Sequence, residues 1–304
     1  MSELILHHHA PSPFGEKIRL ALGLKNLSWR SVLVSMVPPR PAMTALTGGY
    51  RKIPVLQIGA DIYCDTRRIT AELEYRFPTP SLFPTGDAGV GLAIASWSDQ
   101  TFFQPGAGLS MGMNEQLPAD ILNDRKEFFN FMDFSTLQDD LAHLHTQFLA
   151  QVPLVENQLA DGRAFLNGDA PGAVDIAAYF PIWMARANVP GIDRWLNGRA
   201  DLNAWEGRME AIGRGEHSDM DAADALAIAR DAEPRSDGHV GSDPLELIDG
   251  DRVTVTPTDY GNIPVEGALR ALSATSVSIE REDPAAGTVH VHFPRSGYRI
   301  ERVG

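Results

Sequence analysis

The sequence predicts a small α/β domain over residues 1–82, an all-helical domain over 86–232 and a small antiparallel all-β domain over 243–304. Three observations predict this order. Strand and helix patterns alternate as far as residue 76. Between residues 88 and 230 the apolar periodicity is helical only. Beyond residue 243 short alternating stretches are separated by turn dipeptides. Two stretches fall at the joins: residues 77–86 carry three prolines, and residues 233–243 are polar with Pro234 and Gly238. A chain of 304 residues fits two or three domains.

Taken in order, residues 3–8 place Leu4, Ile5 and Leu6 in a buried strand, ended by Pro11 and Pro13. Residues 14–24 set Phe14, Ile18, Ala21 and Leu22 at helical spacing. Residues 29–34 read as a second strand, and Pro38, Pro39 and Pro41 mark a loop. Residues 53–58 and 62–64 form a hairpin around Gly59-Ala60-Asp61. Residues 66–76 read as a helix that stops before Pro78. In the second part, residues 88–103 are helical and residues 104–118, broken by glycines, form an irregular excursion. Residues 120–160 make one long helix, and 172–187, 202–212 and 222–230 make three more. The last part places strands at 252–256, 276–280, 289–293 and 298–303.

The formal charge of −14 is uneven: +4 over residues 1–86, −13 over 87–229 and −5 over 230–304. An acidic chain argues against nucleic acid as a partner, while a small anion at the first segment stays open. No run nears the ~18 apolar residues that would argue a membrane span. The N-terminus lacks the basic region of a secretion signal. The one cysteine, Cys64, cannot close an internal disulfide, which fits a cytoplasmic protein. Cys64 reads as a small buried apolar residue. His7 and His9 share a strand face, as do His290 and His292. No third ligand is suitably spaced, so no metal is expected.

Four motifs carry a resemblance. Ser12-Pro13-Phe14 precedes Glu16-Lys17-Ile18-Arg19-Leu20. Lys52-Ile53-Pro54-Val55-Leu56 follows, then Cys64-Asp65-Thr66-Arg67-Arg68-Ile69. Phe165-Leu166-Asn167-Gly168-Asp169-Ala170-Pro171 leads into Val174-Asp175-Ile176. In order and spacing the set resembles the cytosolic glutathione transferases, of serine type, over about residues 1–230. The resemblance implies a thioredoxin-like first domain, a helical second domain, a homodimer and glutathione as co-substrate. The tail lies outside it.

On its own physics Ser12 is an N-cap, with Pro13 at the first helical position. The resemblance adds a catalytic role, in which the hydroxyl and helix end stabilise the thiolate of glutathione. A thiol of pKa ~8.5 is only about 3% ionised at pH 7, and a two-unit drop makes it roughly three-quarters ionised. A serine cannot form a mixed disulfide, so thiol–disulfide exchange is not expected. The resemblance further implies a cis Ile53–Pro54 bond, with the Ile53 backbone pairing with the cysteinyl residue. Asp65-Thr66 is by itself a helix cap. By resemblance, Thr66 holds the γ-glutamyl carboxylate and Asp65 the ammonium. Lys52 and Arg40 are candidates for the glycine carboxylate, or else surface charges.

Gly172 stands where the family has Ser or Thr, so the capping box to Asp175 lacks its reciprocal side-chain bond. Asp175 is expected to be structural. Trp97, Phe102, Phe103, Met111 and Met113 are near the expected electrophile wall, although core packing is the simpler role for each. Two functions stay open: conjugation of glutathione to a hydrophobic electrophile, and a non-catalytic binding or regulatory protein whose C-terminal strands contact a partner.

Overall fold

A computed structural model describes residues 3–86, 88–114, 117–236 and 238–303. In chain order the elements begin β1 (Ile5–His8), α1 (Pro13–Leu24), β2 (Ser28–Leu33), α2 (Pro41–Thr47), β3 (Val55–Ile58), β4 (Asp61–Cys64) and α3 (Thr66–Arg76). The helical stretch follows with α4 (Ala88–Trp97), a π-helical segment (Ser98–Phe102), α5 (Phe103–Gly112), α6 (Ala119–Phe128), α7 (Leu137–Leu159), α8 (Ala173–Asn188), α9 (Asp193–Leu196) and α10 (Ala200–Ala211). The chain closes with β5 (Glu216–Asp219), α11 (Ala222–Arg230), β6 (Arg252–Pro257), β7 (Val265–Leu272), β8 (Ser276–Asp283), β9 (Gly287–Pro294) and β10 (Tyr298–Arg302).

These elements form two compact units, each built from separated stretches of chain. The first comprises Met1–Ala10, Ser28–Glu72 and His217–Gly304, and the second Pro11–Leu27 and Leu73–Glu216. The three consecutive segments read from composition are therefore distributed differently. The helix after Ser12 belongs with the helical unit because its side chains are spent there. Phe14 packs edge-on to Phe103 at 4.8 Å and against Phe180 at 5.1 Å. Lys17 pairs with Asp99 at 2.5 Å, and Glu16 receives Arg214 at 2.6 Å.

The first unit is organised on one ten-stranded sheet, ordered β10-β6-β7-β8-β9-β4-β3-β1-β2-β5. The C-terminal strands are all-β as expected, and they continue the N-terminal sheet. β4 and β9 pair in parallel, Asp61 opposite His290 and Tyr63 opposite His292. Parallel strands need no hairpin between them, so residues far apart in sequence can meet at such a seam. One apolar cluster contains Leu46, Val55, Ile62 and Cys64 together with Val253, Val277, Val291 and Phe293. Three elements of this unit escaped the sequence reading: α2, β5 and β7. α2 sits in the proline-rich stretch because Pro41 suits a first helical turn. β7 interrupts its alternation with a register shift between Leu269 and Ala271.

In the second unit the glycine-rich stretch after Phe103 is helix α5, where the sequence suggested an irregular excursion. Its glycines allow close packing: a Cβ on Gly106 would lie 2.8 Å from the Met184 methyl. Residues 115 and 116 of that excursion lie outside the described residues. The long helix expected over 120–160 is two helices, α6 and α7, interrupted around Phe129. Asp175 is buried and structural: its carboxylate accepts from the Leu166 N–H at 2.8 Å, the Gly172 N–H at 3.1 Å and the Trp205 indole at 2.9 Å. A Cβ at Gly172 would stand 2.9 Å from the Leu82 carbonyl oxygen, so glycine fits this cap without displacing the backbone. Among the described residues no helix is long and apolar enough to cross a membrane.

Candidate functional site

The residues singled out by sequence fall in both units. In the helical unit, Ser12 has extended backbone and caps α1, its Oγ accepting from the Gly15 N–H at 3.1 Å. Pro13 follows in the first turn, where its missing N–H costs nothing. A hydroxyl that accepts one bond keeps its own O–H for another acceptor. Phe102 and Phe103, of the expected electrophile wall, are fully buried core residues. Trp97 is half-buried and donates its indole N–H to Gln151 at 3.0 Å. Met111 and Met113 are half-buried at the end of α5.

In the sheet unit, the Ile53–Pro54 bond is cis and leads directly into β3. Asp65 opens α3 with a φ of +75°, a conformation that side chains other than glycine seldom adopt. Its carboxylate caps the helix. Oδ1 accepts from the Arg67 N–H at 2.9 Å and Nε at 3.2 Å, and Oδ2 accepts from Arg67 Nη2 at 3.1 Å. A fourth donor comes from the C-terminal strands: the Tyr298 hydroxyl gives its proton to Oδ2 at 3.0 Å. The Tyr50 hydroxyl in turn donates to that of Tyr298 at 2.8 Å. Burial alone would raise the Asp65 carboxyl. The Arg67 charge and hydrogen bonds, with Lys52 nearby, outweigh it and hold the group below the usual carboxylate range. Both tyrosines are pushed up, by burial first and then by the Asp65 charge. Thr66, beside Asp65, is buried at the start of α3.

The two candidate cations are held by the chain itself. Arg40 donates to the carbonyls of Ser35 at 2.8 Å, Met36 at 2.6 Å and Arg51 at 3.0 Å, so it staples its own loop. Lys52 forms an ion pair with Asp259 and lies 4.3 Å over the Tyr260 ring. Asp259 and Tyr260 belong to the loop between β6 and β7. The sequence signalled none of these tail contacts, because partners more than 200 positions apart leave no local pattern. Cys64 is buried in β4, and burial, followed by the neighbouring Asp65 charge, raises its thiol. That disfavours the thiolate and hence nucleophilic chemistry there.

His7 and His292 are each hydrogen-bonded within the sheet. His7 bonds the Gln57 side chain at 2.8 Å, and burial lowers it to about 4. His292 lies at the β4–β9 seam between Ser278 Oγ, 2.6 Å from Nδ1, and Asp61 Oδ1, 2.8 Å from Nε2. Tyr63 stacks on its ring at 4.5 Å. All three members of this Ser–His–Asp row are buried, and the row bridges three neighbouring strands. Among the described residues no group of three or more His, Cys, Asp or Glu is placed to hold a metal ion.

Comparison with known proteins agrees with the motif pattern. The glutathione S-transferase N-terminal domain family model matches residues 6–81, and the C-terminal domain model matches residues 138–208. A GST-like protein from Pseudomonas syringae is 35% identical, covers 100% of both chains and superposes with a TM-score of 0.81. A glutathione S-transferase from Rhodospirillum rubrum F11 is 21% identical over 68% of this chain and 88% of its own, with a TM-score of 0.51. FzlA from C. crescentus is 21% identical over 69% and 88%, with a TM-score of 0.52. These two share the fold and leave about a third of this chain unmatched, whereas the Pseudomonas protein spans all of it. No curated protein matches in sequence.

Proposed function

Because this chain belongs to the glutathione S-transferase family, we propose that it binds glutathione and conjugates its thiolate to a hydrophobic electrophile. The observation that carries the reading is Ser12, a half-buried hydroxyl at the positive end of α1 whose O–H is left to donate. A thiolate accepting that bond is favoured over the thiol by the charge-assisted hydrogen bond and the helix end together. Thiolate generation and proximity supply most of the acceleration, and the protein adds no covalent step of its own.

The rest of the tripeptide is assigned residue by residue from the family pattern. The Ile53 backbone, presented by Pro54, pairs with the cysteinyl residue. The Thr66 hydroxyl and the start of α3 take the γ-glutamyl carboxylate. Asp65 takes the ammonium, and Lys52 and Arg40 are the cations nominated for the glycine carboxylate. Family membership also supports a homodimer, which sedimentation of the purified chain would test, and a cytoplasmic location.

The test is to titrate glutathione into the purified protein and follow thiolate absorbance across pH. We expect the bound thiol to titrate about two units below its free value of ~8.5. Ser12→Ala is expected to return it toward the free value with glutathione still bound. No binding by the wild type would sink the reading, and a shift unchanged by Ser12→Ala would remove Ser12 from the chemistry.

A second reading, a glutathione transferase-like binding protein without turnover, is favoured by one observation. Lys52 and Asp65 already have partners from the C-terminal strands. Tight glutathione binding with no conjugation of any aromatic halide or epoxide tested would select it.

A further inference from the structure

The C-terminal strands bring two side chains onto residues nominated for ligand binding. Tyr298 donates to Asp65 Oδ2, beside the three hydrogen bonds from Arg67. Asp259 pairs with Lys52, whose ammonium also faces the Tyr260 ring. The Lys52 side chain is only 12% exposed and that of Asp259 32%. The loop carrying Asp259 is pinned at its start. The Thr258 N–H and hydroxyl both donate to the Gly297 carbonyl, at 3.0 and 3.1 Å. The Asn262 amide donates to the Pro257 carbonyl at 2.6 Å. Asp259 is therefore presented by a braced loop.

From this we infer that Asp259 is a specificity-determining residue. By neutralising Lys52 it removes the glycine carboxylate of glutathione from recognition, so that the site reads the γ-glutamyl and cysteinyl parts alone. The inference rests on the glutathione reading above. The physical reason is exchange without gain. An incoming carboxylate at Lys52 meets the Asp259 charge already paired there, and displacing Asp259 would leave a partly buried carboxylate without its cation. Arg40, the other nominated cation, is spent on three carbonyl oxygens. The cation–π contact with Tyr260 further stabilises Lys52 in its present position.

The experiment compares glutathione with its glycyl monoethyl ester, which lacks only the terminal charge, by calorimetric titration of the full chain. For the wild type the two dissociation constants should agree within about twofold, since no cation reads the difference. In Asp259→Asn, which keeps the shape and frees Lys52, glutathione should bind about tenfold more tightly than the ester. A wild-type preference for glutathione of about fivefold or more would overturn the inference while leaving glutathione binding intact. A ratio near one in Asp259→Asn would overturn it as well, because Lys52 would not be the group set aside. If neither thiol binds the wild type or the variant, the glutathione reading itself falls. The wild-type ratio needs no variant, so misfolding of Asp259→Asn cannot shelter the inference.

Discussion

The two halves of the ten-stranded sheet are built on different principles. On one side, β3, β1 and β2 mix parallel and antiparallel pairings, with β1 beside β2 in parallel and beside β3 in antiparallel register. On the other, β9, β8, β7, β6 and β10 pair antiparallel throughout. The halves meet at one strand pair, β4–β9, which is parallel. The first half would otherwise present β4 as an open edge, a row of unpaired backbone groups that invites aggregation. The second half covers it and shares one apolar cluster with it. The tail is therefore part of the first half's core, and the same seam carries its side chains to Lys52 and Asp65.

The largest expected effect comes from cutting the halves apart. Truncation after residue 235 removes strands β6–β10 and 14 of the 23 buried residues of the shared cluster, and it bares β4. We expect loss of soluble, cooperatively folded protein, read by expression and circular dichroism. A soluble truncation with a sharp thermal transition would show that the first half stands alone.

A smaller effect tests the seam itself. Asp61 accepts from His292 and faces the Arg235 N–H at 3.3 Å. Asp61→Ala strands both groups and should cost about 3 kcal/mol in urea unfolding, with Asp61→Asn recovering part of it. A cost below about 1 kcal/mol would mean that the seam is held by apolar packing alone.

Each half also carries a buried histidine, and the pH dependence compares them. Burial lowers His7 from 6.5 to about 4. Below pH 6.5 the unfolded chain therefore binds the proton that the folded one refuses, so stability is full above 6.5 and falls as pH drops toward 4. Between pH 7.5 and 5 this group should cost about 2 kcal/mol. His292 is lowered as well, by burial against an opposing Asp61, and it contributes in the same direction. His7→Asn should flatten the slope of stability against pH; an unchanged slope would assign it to other groups.

The smallest expected effect belongs to Tyr298→Phe. It deletes the hydroxyl between Tyr50 and Asp65 and should cost about 1 kcal/mol, again by urea unfolding.

Much of this was legible beforehand. Ser12 before Pro13 reads as a helix start, and Ser12 caps α1. The Gly59-Ala60 hairpin, the buried Cys64 and the helix at Thr66 follow from turn chemistry and apolar spacing. Gly172-to-Asp175 shows the opposite case. The sequence reveals a missing hydroxyl but not the Leu82 carbonyl that a Cβ there would crowd. The helix at Pro41 was hidden because proline marks a loop and a first helical turn equally well.

What the sequence alone determined is local: which stretches are strands or helices, where they start, and which short motifs resemble a known family. These depend on neighbours within a few positions, where periodicity and capping leave a pattern. Only the tertiary structure decided that the tail strands join the first sheet, and that Asp259 and Tyr298 meet Lys52 and Asp65. Those contacts span 207 and 233 positions. Pairing at that range depends on strand-edge hydrogen bonds that any sequence can make. The choice of partner edge then follows from burial of the shared core.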